Sequence, residues 1–268
     1  MDIRRPGESE VAVRKELFRP NEVVAFVLCG GIGSRLRDLT GADIPKPLYP
    51  VAGKPILEHT IEPLVQADIG KIVFVTAYKG YAIRRHFDTI YQLPANSRTQ
   101  IDYTDQKEPV GVLPGIVMAL EEHKDSIKDS IMICDGDAIR RGLDVRRLYT
   151  FHKTHRRNTT MITTSVERTE KHWGIIANSS YDVIKIEPFP QTGSVPENIV
   201  FTGAMMLDGV GAAILRTIPT NDSSWKGMAT LLQQFGSMNH YYSQIEYFNL
   251  NSPDVVEEAG HRLRRLAD

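Results

Sequence analysis

Strand-like apolar runs alternate with helical patterns through the first half of the chain, and this alternation constrains the fold more than any other feature. The runs EVVAFVL and KIVFVTAY are continuous, which is typical of central strands that are buried on both faces. The segment between them, ILEHTIEPLVQAD, places Leu57, Ile61 and Leu64 at helical spacing. The alternation predicts an α/β fold with a single doubly wound, mostly parallel sheet. Such sheets bind ligands at the carboxyl ends of their strands.

The pattern changes after residue 167 to short β-rich pieces, among them WGIIAN, DVIKIEPF and IVFTGAMML. These pieces are too short to build a second hydrophobic core. We therefore predict one domain over residues 22–268, in which they form a β-rich insertion that binds substrate. Helices are expected over residues 226–235 and 253–266. Residues 1–21 lack clear periodicity and are expected to form an N-terminal arm.

Composition and charge restrict the class of partner and the compartment. The formal net charge of −1 predicts no general attraction to nucleic acid or to an anionic membrane surface. Cys29 and Cys134 lie in or beside apolar runs, so we expect buried, reduced thiols in a reducing compartment. No apolar run approaches the roughly 20 residues that span a bilayer, and no signal peptide is recognised. A cytoplasmic protein is expected, and association into a homo-oligomer is left open.

The first apolar strand runs into a glycine-rich turn with nearby cationic side chains. Glycines let the backbone approach a ligand closely, and consecutive N–H groups hold an anion. Arg35 and Lys46 add positive charge, so the segment predicts a phosphate site. It is not a P-loop, because the Gly-Lys pairs are followed by Pro55 and Ile72 rather than by Ser or Thr. It is not a dinucleotide fingerprint either, because Leu36 occupies the third glycine position.

The string GGIGSRL, followed by PKPLYPVAGKP, resembles the sugar-1-phosphate nucleotidylyltransferases, which make nucleotide-diphosphate sugars. Further segments resemble that family in the same order along residues 23–259: QKEPVG, ICDGDAI, HWGIIA, IEPF, FTGAMM and FNLNSPDVVEEA. The resemblance implies a nucleotide-binding fold of the glycosyltransferase-A type. It also implies a Mg²⁺-dependent reaction in which an NTP and a sugar-1-phosphate give a nucleotide-diphosphate sugar and pyrophosphate.

The resemblance implies a role for each matching residue. In the catalytic role, Arg35 would stabilise the leaving pyrophosphate, and Lys46 would place a charge near the α-phosphate. The metal ligands would be Asp137 and Asn249, which are expected to converge on one Mg²⁺. The implied nucleotide-binding residues are Leu28, Gly30, Gly31, Gly33, Ser34, Gln106, Pro109 and Gly111. The implied sugar-phosphate-binding residues are Gly174, Glu187, Thr202 and Lys226.

The chain departs from the family pattern at three places. Many members carry W-x-D-[IV]-G-T-P where this chain reads YFNLNSP, so Asn249 stands in the place of a charged metal ligand. The family's Glu-Lys-Pro lysine is replaced by Pro188, and we expect Lys226 to supply a cation in its place. The small residues after the base-binding glycine become Val112, Leu113 and Pro114, which leaves the base preference open.

Two other functions stay open at this stage. The same fold and NTP could serve another phosphorylated alcohol, such as phosphocholine or a cyclitol phosphate, because the Glu-Lys-Pro lysine is absent. A non-catalytic relative could bind a nucleotide sugar for regulation. The presence of Arg35, Lys46 and Asp137 together weakens the second alternative.

Overall fold

The computed structural model describes residues 18–41, 43–218, 229, 232–234 and 236–266. The strands of the described chain are β1 (Val23–Leu28), β2 (Pro50–Val51), β3 (Lys54–Pro55), β4 (Lys71–Thr76), β5 (Gln100–Asp105), β6 (Ser130–Asp135), β7 (Ala138–Arg141), β8 (Thr159–Ser165), β9 (Trp173–Ala177), β10 (Val183–Pro188), β11 (Ile199–Leu207), β12 (Met238–Tyr242) and β13 (Glu246–Asn249).

The helices of the described chain are α1 (Arg37–Thr40), α2 (Ile56–Gln66), α3 (Gly80–Thr89), α4 (Val112–Glu122), α5 (Val145–His155), α6 (Gly209–Thr217) and α7 (Pro253–Arg265). Single 3₁₀ turns occupy Pro20–Glu22, Ser34–Leu36, Lys46–Leu48, Lys124–Ser126 and Pro196–Asn198. In the described part of the chain, no helix is long and apolar enough to cross a membrane.

Four parallel strands form the centre of the main sheet, in the order β6-β1-β4-β5. Their apolar runs are buried because helices cover both faces: α2, α3 and α5 pack on one side, and α4 and α6 on the other. The predicted α/β fold with a doubly wound, mostly parallel central sheet is confirmed. The parallel register brings Leu28 beside Asp135, so the ends of β1 and β6 meet at one edge.

The β-rich pieces extend this sheet. Strand β11 pairs antiparallel with β6, and β9 and β10 continue the sheet beyond β11. Strand β8 also pairs with β11, and β12 pairs parallel with β8. The sequence patterns missed β12 and the short β7, which pairs antiparallel with β13.

Besides the two hydrophobic clusters on the faces of the main sheet, a third cluster joins helix α7 to the glycine-rich turn. Val256, Ala259 and Leu263 of α7 belong to the same buried cluster as Leu36, which follows Arg35. Leu36 is fully buried. The turn that carries Arg35 is therefore anchored by apolar packing as well as by its connection to β1.

Other expectations are met at the level of single residues. Pro114 lies in the first turn of α4, where a proline is tolerated because the first N–H groups have no partner within the helix. Both cysteines are free and buried. The predicted helix over residues 226–235 falls mostly outside the described residues, within which 229 and 232–234 are helical.

Part of the predicted N-terminal arm packs on the domain. Residues 1–17 lie outside the described residues, whereas the Phe18 ring makes an edge contact with Tyr149 at a centroid distance of 5.3 Å. The N–H of Gly70 donates to Pro20 O at 2.7 Å. Packing against the domain thus begins before residue 22.

Gly136 allows β1 and β6 to meet closely enough to place Asp137. A Cβ at this position would lie 2.6 Å from Leu28 O and 2.8 Å from Cys29 Sγ. We expect Gly136→Ala to lower the free energy of unfolding by about 1–3 kcal/mol, because the backbone must shift to relieve the overlap. Urea unfolding followed by circular dichroism measures this.

Gly209→Ala is the matched control, because a Cβ at this helical position meets no atom within 4 Å. Its effect should be neutral or a stabilisation below about 1 kcal/mol. Equal stability of the two variants would contradict the steric role of Gly136.

Candidate active site

The glycine-rich turn leaves β1 with its backbone open to the pocket. Gly33 has φ 69° and ψ 30°, the left-handed region that favours glycine. A Cβ on Gly33 would lie 2.8 Å from Lys46 Cβ, so the turn lies directly against the Lys46 side chain. Within the described residues, the N–H groups of Gly31 and Gly33 donate to no protein acceptor. These donors are therefore available to an anion.

One cavity of about 200 Å³ collects most of the residues predicted for the phosphate site. Its volume is below the usual range for a whole small-molecule ligand, so it suits the phosphate groups of a nucleotide. The predicted residues that line it are Leu28, Gly31, Gly33, Ser34, Arg35, Lys46 and Asp137. Residues that the sequence did not single out for this cavity are Cys29, Leu36, Pro47 and Asn251.

Lys46 is buried, with 7% of its surface exposed, and its ammonium makes two polar contacts. Lys46 Nζ donates to Asp137 Oδ2 at 2.5 Å and to Asn251 Oδ1 at 2.8 Å. A buried ammonium is stable only with such partners, because desolvation of a charge is costly. The predicted catalytic lysine and the predicted metal-binding aspartate are thus in direct contact.

Asn251 is the functional candidate that sequence reasoning missed. Its amide Nδ2 donates to Asn249 Oδ1, and its backbone N–H donates to Asn249 O at 2.7 Å. The sequence signal for Asn251 was a side chain at the position where the motif W-x-D-[IV]-G-T-P has glycine. Asn249 pairs with Ala138 in the β7–β13 ladder, next to Asp137, and the N–H of Leu250 donates to Asp137 O at 3.2 Å. The two predicted metal ligands therefore lie on adjoining backbone segments.

The donor set is of a kind that suits Mg²⁺. Asp137 supplies carboxylate oxygens and Asn249 an amide oxygen, and Mg²⁺ commonly takes one or two protein carboxylates beside substrate phosphates. The described residues contain no group of three or more His, Cys, Asp or Glu side chains that could hold a metal. Substrate oxygens or water would thus complete the coordination.

Two neutral groups border this charged centre. Burial raises the pKa of the Cys29 thiol well above its ordinary value, and nearby Cys134 and Asp137 raise it further. Burial also raises the pKa of Tyr247, where the charge of Arg140 opposes the shift and Asp135 and Asp137 add to it. Both groups therefore remain protonated at neutral pH and provide no nucleophile.

Gln106 lies in a second groove rather than in the cavity of the glycine-rich turn. It lines this groove with Ala77 and Tyr81, and its backbone N–H donates to Thr76 O at 2.8 Å. A Cβ on Gly30 would lie 3.2 Å from Cβ of Ala77, a residue that lines this groove, so the glycine-rich turn packs closely beside it. Among the implied base-binding residues, Pro109 and Gly111 are exposed on the same loop.

Asp105, beside Gln106, is held as a carboxylate. Partial burial raises its pKa, but hydrogen bonds from Thr76 at 2.5 Å and Arg84 at 2.6 Å outweigh that effect and lower the pKa overall. The end of β5 is thereby tied to both β4 and α3. This arrangement fixes the strand that leads into Gln106.

Gly174 and Glu187 face each other across the β9–β10 ladder. A Cβ on Gly174 would lie 2.5 Å from Val195 Cγ2 and 2.9 Å from Pro190 Cγ, which explains the glycine as a close approach. Glu187 forms an ion pair with Lys185, two residues earlier and on the same face of β10. Lys185 is a cation beside the predicted sugar site that the sequence analysis did not single out.

Thr202 requires a correction. We expected its side chain to bind the sugar phosphate, but it is fully buried and its hydroxyl donates to Ile162 O at 2.9 Å. The Thr202 hydroxyl is therefore committed to the core, and only its neighbour Gly203, with φ 70°, approaches Asp135. Lys226, the remaining candidate for the sugar phosphate, lies outside the described residues.

Arg140 accounts for the position of the Thr202–Gly203 segment. It is buried, and it donates to Thr202 O at 2.8 Å and to Gly203 O at 2.7 Å. It also donates to Ala138 O at 3.1 Å. Arg140 thus joins β11 to the loop that carries Asp137, which is a structural role.

The family described as nucleotidyl transferase matches residues 24–245. A mannose-1-phosphate guanylyltransferase of Mycobacterium tuberculosis is 33% identical over 141 residues, which is 53% of this chain and 37% of that protein. A D-glycero-alpha-D-manno-heptose 1-phosphate guanylyltransferase of Aneurinibacillus thermoaerophilus is 26% identical over 156 residues, 58% of this chain and 64% of that protein. The curated mannose-1-phosphate relatives are thus matched over less than half of their length.

Solved structures share the fold. HddC from Yersinia pseudotuberculosis, complexed with GMP-PN, superposes with a TM-score of 0.69 at 22% identity, covering 90% of this chain and 99% of that one. A putative glucose-1-phosphate thymidylyltransferase from Bacillus anthracis superposes with a TM-score of 0.75 at 18% identity, covering 90% and 95%. With the family match over most of its length, the chain belongs to the nucleotidyl transferase family.

Proposed function

We propose that this protein transfers a nucleotidyl group from an NTP to a sugar-1-phosphate, with release of pyrophosphate. The observation that carries the proposal is a single cavity lined by the glycine-rich turn, Arg35, Lys46 and Asp137. The reaction brings two anions together and releases a third. Catalysis of that kind depends on positioning and on charge neutralisation rather than on a protein nucleophile.

Four residues of the cavity have a direct part in this reaction: Gly31, Gly33, Arg35 and Lys46. The open N–H groups of Gly31 and Gly33 bind triphosphate oxygens, since an exposed backbone turn is a site for anions. Arg35, which is exposed at the cavity, neutralises charge that develops on the departing pyrophosphate. Lys46 presents its ammonium to the α-phosphate and to the incoming phosphate of the sugar.

Asp137 and Asn249 would hold Mg²⁺ with phosphate oxygens of the NTP. When bound, the ion supplies Lewis-acid polarisation of the phosphate and neutralises charge. Asp137 also holds the Lys46 ammonium in place at 2.5 Å. One carboxylate would thus contact both the Lys46 ammonium and the bound ion. The cytoplasm stays the proposed compartment, which the two free, buried cysteines support.

The relatives suggest which substrates to test first. Several are guanylyltransferases for mannose-1-phosphate or a manno-heptose 1-phosphate by name, and one structural neighbour was solved with GMP-PN. We therefore propose GTP with a manno-configured sugar-1-phosphate as the first pair. A thymidylyltransferase among the structural neighbours makes dTTP with glucose-1-phosphate the second.

Pro188 keeps a second candidate function open. A lysine is absent at this position, so a zwitterionic acceptor such as phosphocholine, which needs less neutralisation, would also be accommodated. Lys185 favours the sugar phosphate, because its ammonium lies beside Glu187.

These possibilities are separated by measuring pyrophosphate release with GTP, dTTP, UTP, CTP and ATP. Each NTP is paired with sugar-1-phosphates, phosphocholine and a cyclitol phosphate. If none of the acceptors in the panel gives pyrophosphate release, the transferase proposal is overturned in favour of binding alone.

Arg35→Ala should lower kcat/KM by about two orders of magnitude, because a charge-assisted contact in the transition state is lost. Arg35 is exposed, so the melting temperature should change little. Steady-state kinetics with the best substrate pair and a thermal melt give the two quantities. Arg37→Ala is the matched control, since Arg37 is exposed two residues away and does not line the cavity. Similar losses in both variants would remove Arg35 from the mechanism.

Asp137→Asn should abolish turnover more completely than Asn249→Ala. Asp137 brings a negative charge to both Lys46 and Mg²⁺, whereas Asn249 contributes a neutral oxygen. Turnover titrated with Mg²⁺ measures the difference. We expect Asn249→Ala to raise the Mg²⁺ concentration for half-maximal rate while leaving measurable activity. A larger loss in Asn249→Ala than in Asp137→Asn would contradict this assignment.

Lys185→Ala and Lys226→Ala test the source of the cation for the sugar phosphate. If Lys185 contributes, its removal should raise the KM for the sugar-1-phosphate by about tenfold with little change in the KM for the NTP, as expected for the loss of one charged contact. Lys124→Ala, in an exposed 3₁₀ turn, is the control. Unchanged KM values in both lysine variants would count against the sugar-phosphate assignment and favour a zwitterionic acceptor.

A further inference from the structure

Asn251 lies in the turn between β13 and α7 and lines the same cavity as the glycine-rich turn. It lines the cavity together with Lys46 and Asp137, although it is 205 residues from Lys46 in sequence. The turn is tied to the Asp137 loop by the hydrogen bond from the Leu250 N–H to Asp137 O at 3.2 Å. The Asn251 side chain therefore extends from a fixed backbone.

The Lys46 side chain is restrained at both ends. Its Cβ lies against Gly33, where a Cβ would approach to 2.8 Å. Its ammonium donates to Asp137 Oδ2 at 2.5 Å and to Asn251 Oδ1 at 2.8 Å. An ammonium has three N–H donors, so these acceptors leave one donor for a phosphate oxygen.

The chemistry of the contacts sets the orientation of the Asn251 amide. Lys46 can only donate, so the oxygen of the Asn251 amide must face it. The amide nitrogen then faces Asn249 Oδ1, to which it donates. One side chain thus connects the cation of the site to the neutral residue at position 249.

The two asparagines change the charge around Lys46 together. In the W-x-D-[IV]-G-T-P pattern, position 249 carries a carboxylate and position 251 has no side chain. Here the carboxylate is absent and an amide has been added, which offers Lys46 a neutral acceptor. An amide oxygen holds an ammonium by a charge-assisted hydrogen bond without adding negative charge.

We propose that Asn251 is a positioning residue that holds the Lys46 ammonium in the cavity and compensates for the missing carboxylate at Asn249. The role of Asn251 in turnover rests on the proposed nucleotidyl transfer, whereas its hold on Lys46 does not. Positions 249 and 251 then form a pair whose effects depend on each other. Loss of the Asn251 amide leaves Lys46 with a single acceptor among the described residues.

The first test needs neither substrate nor metal. Acetic anhydride labelling followed by peptide mass spectrometry gives the reactivity of Lys46, with the exposed Lys124 as the internal reference. Asn251→Ala should raise Lys46 reactivity by about tenfold, the equivalent of one hydrogen bond to a charged group. Asn251→Asp, which retains an acceptor for Lys46, should stay at or below the wild-type value. Wild-type reactivity in Asn251→Ala would overturn the proposal.

The second test uses turnover and a pair of substitutions. Asn251→Gly should lower kcat by about tenfold while the KM for the NTP changes less, because a held cation acts on the reacting phosphates. The double variant Asn249→Asp with Asn251→Gly should recover most of this loss, since the new carboxylate replaces the lost acceptor. A purely structural role for Asn251 predicts no such recovery, and a double variant as slow as Asn251→Gly alone would overturn the proposal.

The two tests separate the possible failures. Absence of turnover in the wild-type protein with every substrate pair would reject the proposed function but leave the labelling result as a test of Asn251. Normal turnover with unchanged labelling would reject Asn251 and leave the proposed function standing. A melting curve of each variant confirms that the compared proteins are folded.

Discussion

The contact between Lys46 and Asp137 is the interaction on which the rest of the site depends. Lys46 has only 7% of its surface exposed, and removing a charge from water is costly unless a partner compensates for the lost hydration. Asp137 follows β6 and Lys46 precedes β2, 91 residues earlier, so the pair draws two distant loops to one strand edge. Gly33 lies against the lysine stem, and Gly136 allows the loop of Asp137 to approach β1. Both glycines therefore serve the same ion pair.

Hydrophobic periodicity was sufficient to predict the central strands, because strands buried on both faces leave uninterrupted apolar runs. It could not reveal β12, where Asn239 and His240 are buried: Asn239 Oδ1 accepts from Thr160, and the His240 ring forms a hydrogen bond with Thr163. It also missed β7, whose Arg140 is buried because backbone carbonyls accept its N–H groups. Polar residues that the tertiary structure satisfies do not follow the apolar pattern from which strands are predicted.

The phosphate side of the site was predictable for a related reason. A glycine with positive φ beside a strand end leaves a strong local signal, and Arg35 and Lys46 lie near it in sequence. For Asn251 the sequence offers only a departure from the glycine of the resembling motif, and it does not show the contact with Lys46, which is 205 residues away. Thr202 was misplaced because both faces of β11 are buried, and the sequence did not show that its hydroxyl is bonded to Ile162 O within the sheet.

The residues proposed to carry out the reaction are held more firmly than those proposed to recognise the base and the sugar. Lys46, Asp137 and Asn251 are held by hydrogen bonds to one another, and Leu36 is anchored in a buried cluster. In contrast, Gly111 is exposed, and Lys185 and Glu187 pair on β10, beside β9 at one end of the main sheet. Rigid elements preserve a reaction, whereas exposed loops and edges change what is recognised. Substitutions that alter the choice of base or sugar are therefore expected on residues 106–111 and on β10, while those that abolish every transfer should concentrate around Lys46.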